Sequence, residues 1–199
     1  MNKDKKRPGI PPEFYGASAS NIQLEDSECK RLGKFITQSE FPNAIFYGPP
    51  GRCKTYAAIA CMYFLESKGI NWYDMKYSFL PLLNQKWLSN VSSYQDNYEI
   101  LLDFSEKDLL ILDDLGVRRP SDGFLDFLYC LINNRNNNPH LKTIYTTNMS
   151  SKELNDIYGS RIVSRIFQGE QFEFKGIDMR LKKKEEKKVC SYSEREILV

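Results

Sequence analysis

Residues 43–66 read NAIFYGPPGRCKTYAAIACMYFLE, and the fold turns on how this stretch is read. A short apolar run enters a turn rich in glycine and proline. A Lys-Thr pair follows, and then an apolar helical pattern. The outline is strand, phosphate-binding loop, helix: Gly48 starts the turn, Pro49, Pro50, Gly51 and Arg52 carry it, and Lys54, Thr55 and Tyr56 open the helix. Such a loop works because successive backbone N–H groups and a helix N-terminus converge on phosphate oxygens. A lysine then adds charge at the outer phosphates, and a Thr or Ser hydroxyl ligates magnesium. ATP and magnesium are therefore the expected ligands, with Thr55 as one metal ligand.

The loop departs from the pattern G-x-x-x-x-G-K-[ST] at one place, where Cys53 stands for the second glycine. A side chain here would crowd the approach to the phosphates. Cysteine is small and a backbone with negative φ would accommodate it; the expectation is that nucleotide binding survives, with weakening as the open alternative. A thiol beside a lysine at a helix start is also primed for redox chemistry. A tolerated substitution is the simpler reading.

An ATPase needs a carboxylate near magnesium. The run DLLILDDLG (108–116) supplies one, because a near-continuous apolar strand is what a central parallel sheet buries on both faces. Asp113 would hold magnesium directly or through water. Asp114 stands where related ATPases carry a glutamate that orients the attacking water, one methylene longer. Downstream, KTIYTTN (142–148) ends on Asn148, whose amide would position water, or which would simply cap the helix that follows. In GSRIVSRIF (159–167), Arg161 and Arg165 lie one helical turn apart and share a face. They are either arginines aimed at a neighbour's nucleotide or an ordinary surface pair.

Around these motifs strands and helices alternate. LEDSECKRLGKFITQ (24–38), YQDNYEILLDF (94–104), GFLDFLYCLINNR (123–135), KELNDIY (152–158) and SRIVSRIF (160–167) read as helices. INWYDM (70–75) and QFEFKG (171–176) read as strands. YSFLPLLNQKWLSN (77–90) reads as a helix with Pro81 in its first turn. This order predicts an α/β domain with a mainly parallel sheet flanked by helices. Residues 1–23 are expected to be an extended arm, 24–180 the ATPase domain, and 181–199 a lysine-rich solvated tail.

The chain has 199 residues, 41% hydrophobic and 27% charged, with a formal net charge of +2. Its length suffices for one domain with a real core. The charge supplies no global basic field, since lysine and arginine concentrate in NKDKKR (2–7) and RLKKKEEKK (180–188). Five scattered cysteines without a C-x-x-C pair, and a single histidine, argue against a zinc site and for a reducing compartment. No apolar run has the length of a membrane span or the form of a signal peptide, so a cytoplasmic protein is expected.

Taken in order, GIPPEFYGAS, GPPGRCKT, DLLILDDLGVRR, INNR, TIYTTNMS and GSRIVSRIFQG resemble the DnaC/IstB group of AAA+ ATPases, the bacterial and phage helicase loaders and their transposon relatives. The resemblance covers residues 9–180, and small phage-encoded members match such a compact chain best. It implies a five-stranded AAA+ P-loop sheet and ATP-dependent self-assembly into a homo-oligomer. It also implies an arginine finger, best matched by Arg165 with Arg161 in reserve. KGIDMR is similar to the family's closing motif, which would make Arg180 a phosphate-contacting arginine of the same subunit. The implied role is loading a replicative helicase onto DNA. A transposition helper of the IstB type, acting with a transposase, is one alternative. The other is a weakly hydrolysing interaction protein that occupies a loader's or helicase's binding surface. Loaders usually carry a separate N-terminal domain to grip the helicase, and no such domain is expected within this sequence. In the family, the segment after the second strand touches single-stranded DNA. Here it contains Lys76, Lys86 and Trp87, with burial of Trp87 in the core as the plainer reading.

Overall fold

A computed structural model of the chain describes residues 10–18, 22, 24–38, 40–67, 77–81, 94–117, 119–176 and 178–179. A five-stranded sheet forms its centre, from β1 (Asn43–Tyr47), β2 (Tyr77–Pro81), β3 (Leu109–Leu115), β4 (Lys142–Thr147) and β5 (Glu170–Glu173). The strand order is β2-β3-β4-β1-β5, and every pairing is parallel. Parallel neighbours need crossovers, and helices supply them. After α1 (Asp26–Gln38), which precedes β1, these are α2 (Lys54–Ser67), α3 (Tyr94–Ser105), α4 (Asp122–Asn136), α5 (Ser151–Tyr158) and α6 (Ser160–Ile166).

Side-chain alternation divides the core into two layers. Ala44, Phe46, Leu109, Ile111, Ile144 and Phe172 face α1 and α2, where Phe35, Ile59 and Met62 complete the packing. Ile45, Leu110, Leu112 and Tyr145 face α4, α5 and α6, meeting Phe124, Leu128, Leu154 and Ile166. Each of the fully buried Leu, Ile, Phe and Met side chains among them contributes about 1.5–3 kcal/mol. Phe46 also meets Phe172 edge-on at 5.5 Å, which locks β5 onto β1.

The helix ends follow their sequence. Ser121 caps α4 by accepting from the Phe124 amide. Ser150 and Glu153 form a reciprocal capping box at α5, whose carbonyl end stops at Gly159 with φ +77°.

Two expectations are corrected. YSFLP (77–81) is the edge strand β2 rather than the start of a helix, paired with β3 from Tyr77↔Leu109 to Pro81↔Asp113. Proline lacks a donor and is tolerated on an edge strand, which β2 is. The expected strand at 70–75 lies outside the described residues. Residues 10–18, expected within an extended arm, are not extended throughout either. They turn through a 3-10 helix at Pro12–Phe14, and Ile10 and Ala17 are buried in the same core layer as Phe35 and Ile59.

Candidate functional site

The loop between β1 and α2 bends where its glycines sit. Gly48 has φ +134° and Gly51 φ +77°. A Cβ at Gly48 would run into the Phe174 carbonyl, and one at Gly51 into the Asp178 carboxylate. The Met179 amide donates to the Gly51 carbonyl at 3.1 Å, so the segment after β5 folds back over the loop.

Cys53 adopts φ +62°, the left-handed region, and not the negative φ that would accommodate its side chain without strain. The turn must swing the chain from Arg52 into the first residue of α2, and glycine does this without strain. A residue with a Cβ carries a cost of about 1–2 kcal/mol there.

Lys54 begins α2 and is buried, with Nζ donating to the Gly48 and Pro49 carbonyls at 2.7 Å each. Thr55 Oγ1 donates to Asp113 Oδ1 at 2.8 Å, joining the loop to the end of β3. The same Oδ1 accepts from Thr146 Oγ1 at 2.7 Å. Burial pushes the Asp113 carboxyl up to about 6, aided by the neighbouring Asp114 charge. The bonds from Thr146 and Thr55 and the Lys54 charge oppose that rise.

Lys54 and Thr55 line a cavity of about 570 Å³ whose walls also include Gly51, Arg52, Cys53, Tyr56, Asp114 and Asn148; Asp113 is not among its lining residues and is joined to it through Thr55. That volume lies within the usual range for small-molecule sites. Asn148 is exposed at the end of β4, and Ser150 rather than Asn148 caps α5, so the capping alternative for Asn148 is removed. Arg161 and Arg165 are not among the cavity's lining residues. Arg165 is half-buried, stacked 4.9 Å from the Tyr129 ring centroid, and donates to Asn133 Oδ1 and the Arg161 carbonyl. Arg161 is exposed beside an open groove lined by Asp126, Tyr129 and Ser160. Arg180, Lys76, Lys86, Trp87 and the tail 181–199 lie outside the described residues.

Sequence reasoning missed three features. Glu13 and Phe14 line the cavity from the N-terminal segment, and Met179 lines it from beyond β5. Glu13 and Phe14 belong to GIPPEFYGAS, a stretch noticed for its resemblance but given no role. Arg135, the last letter of INNR, is fully buried. It donates to Thr143 Oγ1 and to the carbonyls of Phe104, Lys107 and Lys142 at 2.7–2.8 Å. Burial lowers its pKa to about 10, so it keeps its charge and caps the carbonyl end of α3.

The residues present fit a magnesium nucleotide. A buried lysine opens the helix at the end of a loop bent at Gly48 and Gly51, and a hydroxyl meets a carboxylate, hard oxygen donors of the kind magnesium takes.

Strand order, loop and acid-tipped β3 together define an AAA+ P-loop domain. Solved structures agree. The DnaC helicase loader superposes with a TM-score of 0.64 at 25% identity, over 83% of this chain and 100% of that one. DnaI gives 0.64 at 20% identity, over 85% and 93%. The replication initiator DnaA bound to AMPPCP and single-stranded DNA gives 0.67 at 17%, over 84% of this chain and 51% of that one. The resemblance to DnaC-type AAA+ ATPases therefore holds in three dimensions. No protein-family model matches the sequence, and no curated protein matches it in a sequence search. Among the described residues no helix is long and apolar enough to cross a membrane.

Proposed function

We propose that this chain is a magnesium-dependent ATPase that self-associates and helps place a replicative helicase on DNA. The observation that carries the reading is the Thr55–Asp113 hydrogen bond on a loop whose neighbours Lys54, Asp114 and Asn148 share one cavity. It joins the two halves of a phosphoryl-transfer site that the sequence holds far apart.

In this reading Lys54 exchanges its loop carbonyls for phosphate oxygens, and the loop amides complete the cradle. Thr55 and Asp113 hold the metal. Magnesium, when bound, neutralises charge on the outer phosphates. Asp114 and Asn148 orient a water toward the last phosphate, and Asp114 takes up its proton. Arg165, with Arg161 in reserve, completes the site of a neighbouring subunit, and Arg180 contacts phosphate in its own. The loader role is supported by the likeness to the DnaC helicase loader over the whole of that chain. Contact with single-stranded DNA is supported only by the DnaA neighbour and by the sequence of 76–90.

A second reading has its own observation. Cys53 at φ +62° strains the loop, which favours a protein that binds nucleotide poorly and acts by occupying a loader's or helicase's surface. Calorimetry with ATP and ADP, with and without magnesium, separates the two when turnover is followed on the same samples. Tight magnesium-dependent binding and turnover, lost in Lys54→Ala, support the ATPase. Wild type that neither binds nor turns over, yet still acts on a helicase, supports the second reading.

A further inference from the structure

Two adjacent residues of a regular strand point to opposite faces. Asp113 and Asp114 do not obey this. On β3, Leu109 and Ile111 face α2, while Leu110 and Leu112 face α4. Asp113 continues the first set and reaches Thr55. Strict alternation would then send Asp114 toward α4 and Leu115 toward α2. Leu115 instead packs in the α4 layer with Leu112, and Asp114 lines the cavity beside Lys54 and Thr55. One extra residue has entered the strand. From Leu112 to Leu115 β3 takes three steps while β4 takes two, from Tyr145 to Thr147. Asp114 absorbs the difference at φ +61°. Bulges in parallel pairs are rare, and bulges beside active sites re-aim side chains. Aspartate tolerates the left-handed region better than most residues, which gives a physical reason for aspartate at this place.

The dipeptide Thr146-Thr147 fastens the bulge. Thr146 Oγ1 donates to Asp113 Oδ1 at 2.7 Å and accepts from the Asp114 amide at 2.9 Å. Thr147 Oγ1 donates to the Leu115 carbonyl at 2.8 Å. Thr146 is fully buried, so these bonds face no competition from bulk water. One hydroxyl thus grips the side chain of one acid and the backbone of the next.

We infer that Thr146 is a positioning residue of the proposed ATPase site: its hydroxyl holds Asp113 against Thr55 and holds the β3 bulge that turns Asp114 to the same side, into the nucleotide cavity. The inference rests on the ATPase reading. It adds a residue that touches neither nucleotide nor metal.

The test compares the full chain with Thr146→Val, which keeps the shape and removes the hydroxyl, and Thr146→Ser, which keeps the hydroxyl and removes the methyl. Amide exchange at Asp114, read without nucleotide, rises in the valine variant and stays at the wild-type level in the serine variant. Affinity for ATP without magnesium is unchanged in both, because the loop amides and Lys54 are intact. The gain in affinity on adding magnesium shrinks in the valine variant, and kcat falls about tenfold with KM changing less than about threefold. Serine restores both. If the valine chain does not fold, Thr146→Ala is measured by the same readouts. Wild-type exchange and wild-type kcat in the valine variant overturn the inference and leave the ATPase reading standing. Loss in the serine variant equal to that in valine also overturns it, since packing rather than the hydroxyl would then matter. A wild-type chain that binds no magnesium nucleotide overturns the ATPase reading and the inference with it.

Discussion

The Ser18 amide donates to the Tyr56 hydroxyl at 3.0 Å, tying the proline-rich segment at 10–18 to the first turn of α2. Phe14 and Tyr15 pack against the same core layer as Tyr56, and Glu13 and Phe14 line the loop cavity. The N-terminal segment is thus a wall of the site, held in place by the helix that carries Lys54 and Thr55. Tyr56→Phe removes one bond worth about 0.5–1.5 kcal/mol and leaves the ring packing intact. The expected result is earlier proteolytic cleavage within 10–18, with ATP affinity reduced about fivefold or less, as 1 kcal/mol allows. Unchanged cleavage and affinity would detach the segment from the site.

Cys53 offers a sharper contrast, because two substitutions separate its backbone from its thiol. Cys53→Gly relieves the left-handed strain and is expected to stabilise the chain by about 0.5–1 kcal/mol, once glycine's larger unfolded-state entropy is subtracted. For a chain of this length that raises Tm by about 1–4 °C. Cys53→Ala keeps the Cβ and the strain, so it gains nothing. Nucleotide binding should tighten in the glycine variant alone. A gain in both variants would assign the effect to the thiol.

Arg135 makes a stability prediction that leaves the nucleotide out. Its guanidinium supplies donors to three backbone carbonyls and a threonine hydroxyl, in a place where water cannot substitute. Arg135→Met fills similar space without donors and is expected to cost about 3 kcal/mol or more, at the upper end of single substitutions. Arg135→Lys keeps a charge but cannot span all the acceptors, so it should cost less. The check is the urea midpoint at constant slope.

The parts of the fold that the sequence disclosed share one property: their signal is local. NAIFY followed by GPPGRCKT announces strand, loop and helix in one window, and DLLILDDLG shows a buried strand by its unbroken apolar run. YSFLP misled because a five-residue edge strand with a terminal proline has no long periodicity to set against the apolar run after it. The bulge at Asp113 and Asp114 was illegible for a different reason. It exists only in the register between β3 and β4, and its clamp, Thr146, reads in sequence as one more β-branched strand residue. Arg135 was hidden in the same way, since its acceptors are backbone carbonyls of residues 104–107 and 142 and the Thr143 hydroxyl. Glu13 and Phe14 reach the cavity only because Ile10 and Ala17 bury, which a proline-rich stretch does not announce.

The two arginines of α6 decide whether the site is finished by a neighbour. Arg165 is held by Tyr129 and Asn133 in its own chain, Arg161 is exposed, and neither is among the residues lining the loop cavity. Arg165→Ala therefore has a structural cost as well, about 1–2 kcal/mol from the lost stacking and hydrogen bonds. Arg161→Ala, at the surface, should stay within about 0.5 kcal/mol. A true finger is worth about 10³-fold or more in turnover, far beyond what that instability would produce. Mixing separates the cases. Lys54→Ala has a disabled loop and intact arginines, and Arg165→Ala has the reverse; each alone is expected to be inactive. Combined at assembling concentrations, they form interfaces that pair an intact loop with an intact arginine, and turnover returns. If the arginine acts within its own chain, every protomer in the mixture is defective and no turnover returns. If Arg165→Ala alone retains turnover and Arg161→Ala loses it, the mixture made with Arg161→Ala is the one to recover, and the finger is the exposed residue.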